Sequence, residues 1–424
     1  MQAIALIDGN NFYAACEQNI DPSLSGRPVI VLSNNDGCII ARSPEARALG
    51  IPMGQPYFKS HYELKKLDVI VRSPNYALYG DMSQRLMSLL EKHCNLLEIY
   101  SIDEAFAQIN RPTNYDLIPW ARKLRTLIHR NLGLSISIGI GTSKVQAKLA
   151  NHLAKNISTY AGIFDLNPSK NNKGWLEKVN VEQVWGVGQQ MARWCRIRGI
   201  NTAQELLNIN KKELQSKFGV TSIRLLYELQ GENCFSLKPL ASAKQQTCVS
   251  RSFSRPITTI EELHQAISSY VVRASEKLRK QHQRAGAITI FVNTSPFAQS
   301  FYKQSATTQL NTPSNDTAVL LKASRILTKK IFRPYHLLIK AGVIMQKLQG
   351  TDHLQGNLLE SYDNFKDIQR REQLMQTIDN LNQRYGNDTL KWATCISNQS
   401  WNMRRKNLGY ASTTRIIALP IVHS

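Results

Sequence analysis

Acids are scarce in this chain. Asp and Glu number 31 against 53 Lys and Arg, a formal net charge of +22. A field of that sign attracts polyanions, and nucleic acid is the commonest large one. The seven cysteines (Cys16, Cys38, Cys94, Cys195, Cys234, Cys248 and Cys395) include no C-x-x-C pair. Their scatter argues against a zinc site or a disulfide framework and leaves buried thiols in a reducing cytoplasm. The opening MQAIALIDGN has no basic stretch ahead of a long apolar one, so no signal peptide is expected. No apolar run is long enough to span a bilayer. A cytoplasmic protein with no membrane partner is the expectation. Internal repeats are also missing.

At 424 residues the chain exceeds a single core, and roughly two to four domains are expected. Short apolar runs alternate with helical spacing in the first part. Residues 3–7, 29–32, 69–71 and 136–140 read as strands, 96–109 as two strands around a turn, and 11–18, 76–93, 115–132 and 144–155 as helices. That alternation indicates an α/β or α+β layer. From 175 to 240 short helices punctuated by glycine follow. A new α+β unit begins at Lys244, with helices at 261–282 and 317–332 and strands at 287–293 and 337–345. A polar linker is expected over 349–367, then one helix at 372–385. Residues 244–350 carry 16 Lys and Arg against four acids (Glu261, Glu262, Glu276 and Asp316), over half of the net excess. Concentrating the charge in one segment favours a binding face.

Asp8 ends a buried strand, and Ser101-Ile102-Asp103-Glu104 stands at the turn between two apolar strands. Adjacent carboxylates are costly unless something positive neutralises them. If the two strands are neighbours, three carboxylates converge, an arrangement suited to two Mg²⁺ ions. On spacing alone, a solvated acidic turn is the commoner reading.

The surrounding text decides between them. "AIALIDGNNFYAACE" with "LLEIYSIDEAF" resembles the paired catalytic motifs of the Y-family DNA polymerases. "RPVIVLSNNDGCIIARSPEARALGIPMGQPYFK" resembles the fingers segment of the family's UmuC-type members, and the likeness runs on through "IGIGTSKVQAKLANHLAK", "SRSFSR" and "LMQTIDNLNQRYG". Several ordered motifs agree where one alone would carry little. The resemblance implies an α+β right hand: a ferredoxin-like palm (1–13 and 81–173), small fingers (14–80), a helical helix-hairpin-helix thumb (174–240), an α+β little finger (244–348), and a linker and tail (349–424). It implies error-prone, template-directed nucleotidyl transfer on damaged DNA in the SOS response, with no proofreading exonuclease domain.

Carried over residue by residue, it gives Asp8, Asp103 and Glu104 to two Mg²⁺ ions, with the Gly9 carbonyl adding an oxygen. Tyr13 would lie under the incoming sugar and clash with a 2′-hydroxyl. Arg47 and Lys155 would hold the triphosphate, one by bidentate donors and one as a point charge. Many members have tyrosine three residues before that arginine; here it is Pro44. Asn10 stands where some members have aspartate. Gly186 and Gly188 would let backbone N–H groups approach a DNA phosphate. Arg251 and Arg255 would contact DNA from the little finger, where Ser254 replaces the usual glycine. Gln355, Leu358 and Leu359 resemble the Q-x-x-L-[FL] peptide that binds the sliding clamp. Implied partners are primer–template DNA, deoxynucleoside triphosphates, a processed UmuD dimer, RecA and the clamp. A DNA-binding scaffold without catalysis is a different class, against which intact Asp8, Asp103 and Glu104 argue. A nucleotide cyclase would need neither the hairpin nor the basic domain.

Overall fold

The computed structural model describes residues 2–112, 116–166, 174–238, 243–351, 362–386, 388–395 and 401–410. The chain forms two compact units, Met1–Ala241 with Lys406–Ser424, and Ser242–Arg405.

The first unit runs β1 (Gln2–Gly9), α1 (Phe12–Ile20), β2 (Val29–Leu32), β3 (Ile39–Arg42), α2 (Pro44–Ala48), α3 (Tyr57–Lys66), β4 (Ile70–Arg72), α4 (Tyr76–Glu91), β5 (Leu96–Ile99), β6 (Glu104–Asn110), α5 (Ile118–Leu132), β7 (Ile136–Gly141), α6 (Lys144–Asn156) and β8 (Ile163–Asp165). Four helices follow: α7 (Gln189–Ile197), α8 (Ala203–Leu207), α9 (Lys211–Phe218) and α10 (Val220–Gln230). The main sheet has the order β5-β6-β1-β7-β8, so β1 is central. Its apolar run is continuous because both faces are covered. Ala3, Ala5 and Ile7 join the core beneath α4 and α5, while Ile4 and Leu6 meet Ala147 of α6. Alternation of side chains across a strand produces that split. A Cβ on Gly139 of β7 would stand 2.0 Å from the Asn151 nitrogen, so glycine there lets α6 lie close on the sheet. A smaller sheet, β3-β2-β4, has its own core of Ile30, Leu32, Ile39 and Leu64.

The second unit runs β9 (Thr247–Ile257), α11 (Ile260–Lys280), β10 (Gln283–Thr294), β11 (Lys303–Ser314), α12 (Thr317–Ile331), β12 (Leu338–Gly350) and α13 (Tyr362–Tyr385). Its antiparallel sheet has the order β11-β10-β12-β9. Buried faces of α11 and α12 share a core with the sheet, which Trp401 completes against Phe253 and Tyr270. Among the described residues no helix is long and apolar enough to cross a membrane.

Several elements differ from the sequence expectation, which assigned nothing to β3, α2, α3, β8 or β9. Strand β11, KQSATTQLNTPS, was unforeseen: it is an edge strand with no apolar alternation, held through its pairing with β10. The last helix begins at Tyr362, ten residues earlier than expected, inside the stretch read as linker. Lys406–Tyr410, unplaced by pattern, packs on the first unit.

Candidate active site

The site grows from the C-terminal end of β1. In the antiparallel ladder Asp8 stands opposite Glu104 of β6 and opposite Ser137 of β7. The Gly9 N–H donates to the Asp103 carbonyl at 2.9 Å, tying the turn before β6 to the end of β1. Register thus brings Asp8, Asp103 and Glu104 to one sheet edge. Asp103 turns its carboxylate to Ser101, whose hydroxyl donates at 2.6 Å. Among the described residues no group of three or more His, Cys, Asp or Glu is drawn together tightly enough to hold a metal.

Cations from α6 face the other two carboxylates. Lys155 reaches Asp8 at 2.6 Å and Lys148 reaches Glu104 at 2.8 Å. Burial, the largest influence, pushes the Asp8 carboxyl well above its usual range; Lys155 opposes this, and a hydrogen bond shared with Glu104 adds to it. Burial also acts to raise Glu104, but its bond with Asp8 and the charges of Lys148 and Lys155 outweigh that, and the net direction is downward. One carboxyl favours its proton and the other its charge. All the donors at this edge are oxygens, the ligand type of Mg²⁺.

Asp8, Gly9, Tyr13, Arg47, Asp103 and Lys155 line one cavity of about 320 Å³. Tyr13, in the first turn of α1, stacks on Tyr79 of α4 with centroids 4.3 Å apart and meets Tyr76 edge-on. The buried Tyr79 hydroxyl donates to Glu17 at 2.8 Å. Asn10 is fixed from two sides: its amide donates to the Ser135 hydroxyl and its carbonyl accepts from Ser137. Pro44 is the first residue of α2, and the buried Ser43 hydroxyl before it accepts from the Ala46 N–H. Proline's fixed φ and missing donor suit that position, so the residue that departs from the family pattern starts the helix carrying Arg47.

Pattern reading missed several groups. Arg42 of β3 lines the cavity and donates to the Ile51 carbonyl. Lys144 and Lys148 were missed; they share one helix face with the expected Lys155, at spacings of four and seven residues that would have pointed to a single cationic stripe. Tyr76 and Tyr79 are three apart on α4, a signal of the same kind.

The remaining site residues are spread more widely. Gly186 has φ +98°, and a Cβ there would meet Leu225 Cδ1 at 2.5 Å. Gly188 caps the start of α7, and a Cβ there would meet nothing within 4 Å. Arg251 projects from the exposed side of β9, while Arg255 pairs with Glu262. Gln355, Leu358 and Leu359 lie outside the described residues.

The fold is that of the Y-family DNA polymerases. A Dbh–Dpo4 chimera matches with a TM-score of 0.65 at 20% identity, covering 81% of this chain and 98% of that one. An insertion ternary complex of Dbh DNA polymerase matches at 0.55 and 21% identity over the same shares. By sequence, the chain is 40% identical to the protein UmuC of Salmonella typhimurium over 97% of its length and 98% of the relative's. It is 38% identical to ImpB of the same organism, over 98% and 99%. A DNA polymerase IV of Corynebacterium diphtheriae is 31% identical, over 75% and 70%. Residues 7–152 match the impB/mucB/samB family and 244–358 its C-terminal domain, while 372–422 match a domain of unknown function, DUF4113. The chain belongs to the impB/mucB/samB family, a UmuC-containing branch of the error-prone Y-family DNA polymerases.

Proposed function

We propose that the cavity bounded by Asp8, Tyr13, Arg47 and Lys155 holds a deoxynucleoside triphosphate against a primer terminus, and that the chain extends the primer across damaged template in the SOS response. The observation that carries this reading is the in-register pair Asp8–Glu104, with Asp103 tied beside it and Lys155 above. The primer 3′-hydroxyl releases its proton to water, and its oxygen forms a bond to the α-phosphorus. The bond from that phosphorus to the β-phosphate oxygen breaks, and pyrophosphate leaves with the electron pair.

DNA polymerases use divalent metal ions. Here Asp8, Asp103, Glu104 and the Gly9 carbonyl would hold two Mg²⁺ ions. When bound, these supply neutralisation of the transferring phosphoryl charge and activation of the 3′-hydroxyl. Arg47 and Lys155 would grip the triphosphate. Tyr13, braced by its stack on Tyr79, would lie beneath the sugar and exclude a 2′-hydroxyl.

Residues 1–13 and 81–173 serve as palm, 14–80 as fingers, 174–240 as thumb and 244–348 as little finger. The open start of α7 at Gly188 would meet a primer or template phosphate, with Gly186 shaping the turn before it. Arg251 would add a phosphate contact from β9, as would Arg255 on leaving Glu262. Kinship with UmuC supports a processed UmuD dimer and RecA as partners in the cytoplasm, and the peptide at Gln355, Leu358 and Leu359 supports tethering to the sliding clamp. Primer extension on a damaged template, with Mg²⁺ and with and without these partners, tests the reading. Extension past the lesion is expected; a chain that binds DNA but never extends it under any of these conditions would overturn the proposal.

A further inference from the structure

The segment Lys406–Tyr410 lies within the stretch matched by the domain of unknown function and is held on the fingers side of the first unit by backbone. The Ser73 N–H, one residue past edge strand β4, donates to the Asn407 carbonyl at 2.8 Å. The Asn407 N–H donates back to the Ser73 hydroxyl at 2.9 Å, and the Lys406 N–H donates to Asp36 at 3.0 Å. The Ser73 hydroxyl itself donates to Asp36 at 2.6 Å, and the Asn75 amide donates to the Tyr410 carbonyl at 3.2 Å. One of these bonds joins backbone to backbone, and the others engage the Ser73, Asp36 and Asn75 side chains.

Between these anchors the segment passes over a buried carboxylate. A Cβ on Gly409 would stand 2.7 Å from Glu17 Oε2 and 3.5 Å from Arg72 Nε. Glu17 is only 3% exposed. Its other oxygen accepts from the Tyr79 hydroxyl, and Arg72 lies 3.8 Å from Oε2 and is bonded to Asp21. Tyr79 is the ring on which Tyr13 stacks. An unbroken line of contacts therefore runs from Gly409 through Glu17 and Tyr79 to Tyr13.

We propose that residues 406–410 are a built-in strap that sets the sugar gate: the strap, with Gly409 seated on Glu17, fixes the Tyr79 ring and through it the Tyr13 ring that selects deoxyribose. Glu17 and Tyr79 are positioning residues in this account. It rests on the reading of Tyr13 as the residue beneath the sugar. A side chain at 409 would have to displace the end of the Glu17 side chain, which is bonded to the Tyr79 hydroxyl, or lift the strap. The strap also gives part of a domain of unknown function a task.

The test compares the full chain with its Gly409→Val, Ser73→Ala and Tyr13→Ala variants. Ribonucleotide and deoxyribonucleotide incorporation are measured as a ratio of kcat/KM on the same preparation. A ratio cancels any loss of folded fraction, which a merely structural defect would change. Hydrogen exchange at the Lys406 and Asn407 amides reports strap docking. The strap amides are expected to be protected in the parent chain and exposed in Gly409→Val. The deoxyribose preference should fall roughly three- to tenfold, the size of one disturbed hydrogen bond. Ser73→Ala, which removes the acceptor of the Asn407 N–H, should move both readouts the same way and serves if the valine variant does not fold. Freely exchanging strap amides in the parent chain would overturn the proposal. So would a loosened strap with unchanged preference while Tyr13→Ala still lowers it. If Tyr13→Ala itself leaves sugar choice unaltered, the gate reading fails and the strap proposal falls with it.

Discussion

At the scale of single residues, the site works by register and burial. Asp8 and Glu104 meet because β1 and β6 pair without a bulge from Gln2 to Asp8. A slip of one residue would send Asp8 to the opposite face. Five of the residues expected at the site were legible as neighbours because short motifs keep their order. Asp8, Asp103, Tyr13, Arg47 and Lys155 all line the cavity. The partners that fix them were not legible, since Ser135, Ser137 and Lys148 come from other elements and only the fold brings them in. Arg47→Ala should raise the KM for incoming nucleotide roughly ten- to a hundredfold, the range of a lost charge-assisted hydrogen bond. Arg47→Lys should restore only part, lacking the fork. Steady-state single-nucleotide insertion checks both. Tyr13→Ala should reduce the preference for deoxyribose by on the order of 10- to 100-fold, the discrimination a shaped pocket achieves against one extra hydroxyl. Competition between ribo- and deoxynucleotides reads this out.

At the scale of elements, helices with long apolar spacing were the most readable. The structure has α4, α5, α6, α11 and α12 within a few residues of their expected bounds. Elements that lack a one-sided pattern were not. Strand β11 carries Thr, Gln and Ser on an exposed edge, and Lys406–Tyr410 binds by backbone, which sequence does not encode. The two glycines before and at the start of α7 divide by cause. Gly186 holds a positive φ against Leu225, so Gly186→Ala should lower stability by about 1–3 kcal/mol through strain and overpacking. Gly188 has open space, so Gly188→Ala should unfold like the parent chain yet bind primer–template DNA more weakly. Denaturant unfolding and fluorescence anisotropy separate the two. Equal loss of stability in both would refute a DNA-facing role for Gly188.

At the scale of the whole molecule, charge is the organising quantity. The net charge of +22 is concentrated in the second unit's segment, where 16 Lys and Arg oppose four acids. Not all of that charge is free. Arg279 is held by Asp379 at 2.6 Å and by the Asn315 carbonyl, and Arg273 is shared between Glu276 and Asp388. Lys277, Lys280, Lys329 and Lys330 are exposed. Neutralising these four lysines should weaken DNA binding and flatten its log–log salt dependence by about one unit per lost phosphate contact. Arg279→Ala should instead destabilise the fold, since it leaves a part-buried Asp379 unpaired. Salt titrations of DNA affinity distinguish the two outcomes.

The most direct test of the central claim is primer extension by Asp103→Ala and Glu104→Ala in the full chain. Mg²⁺, a processed UmuD dimer and RecA are supplied, and DNA binding is followed in parallel. Each variant should bind primer–template DNA as the parent does, and extension should fall by roughly a thousandfold or more, because phosphoryl charge is no longer neutralised at the sheet edge. Extension at the parent rate by either variant would contradict the assignment of this edge as the site of nucleotidyl transfer.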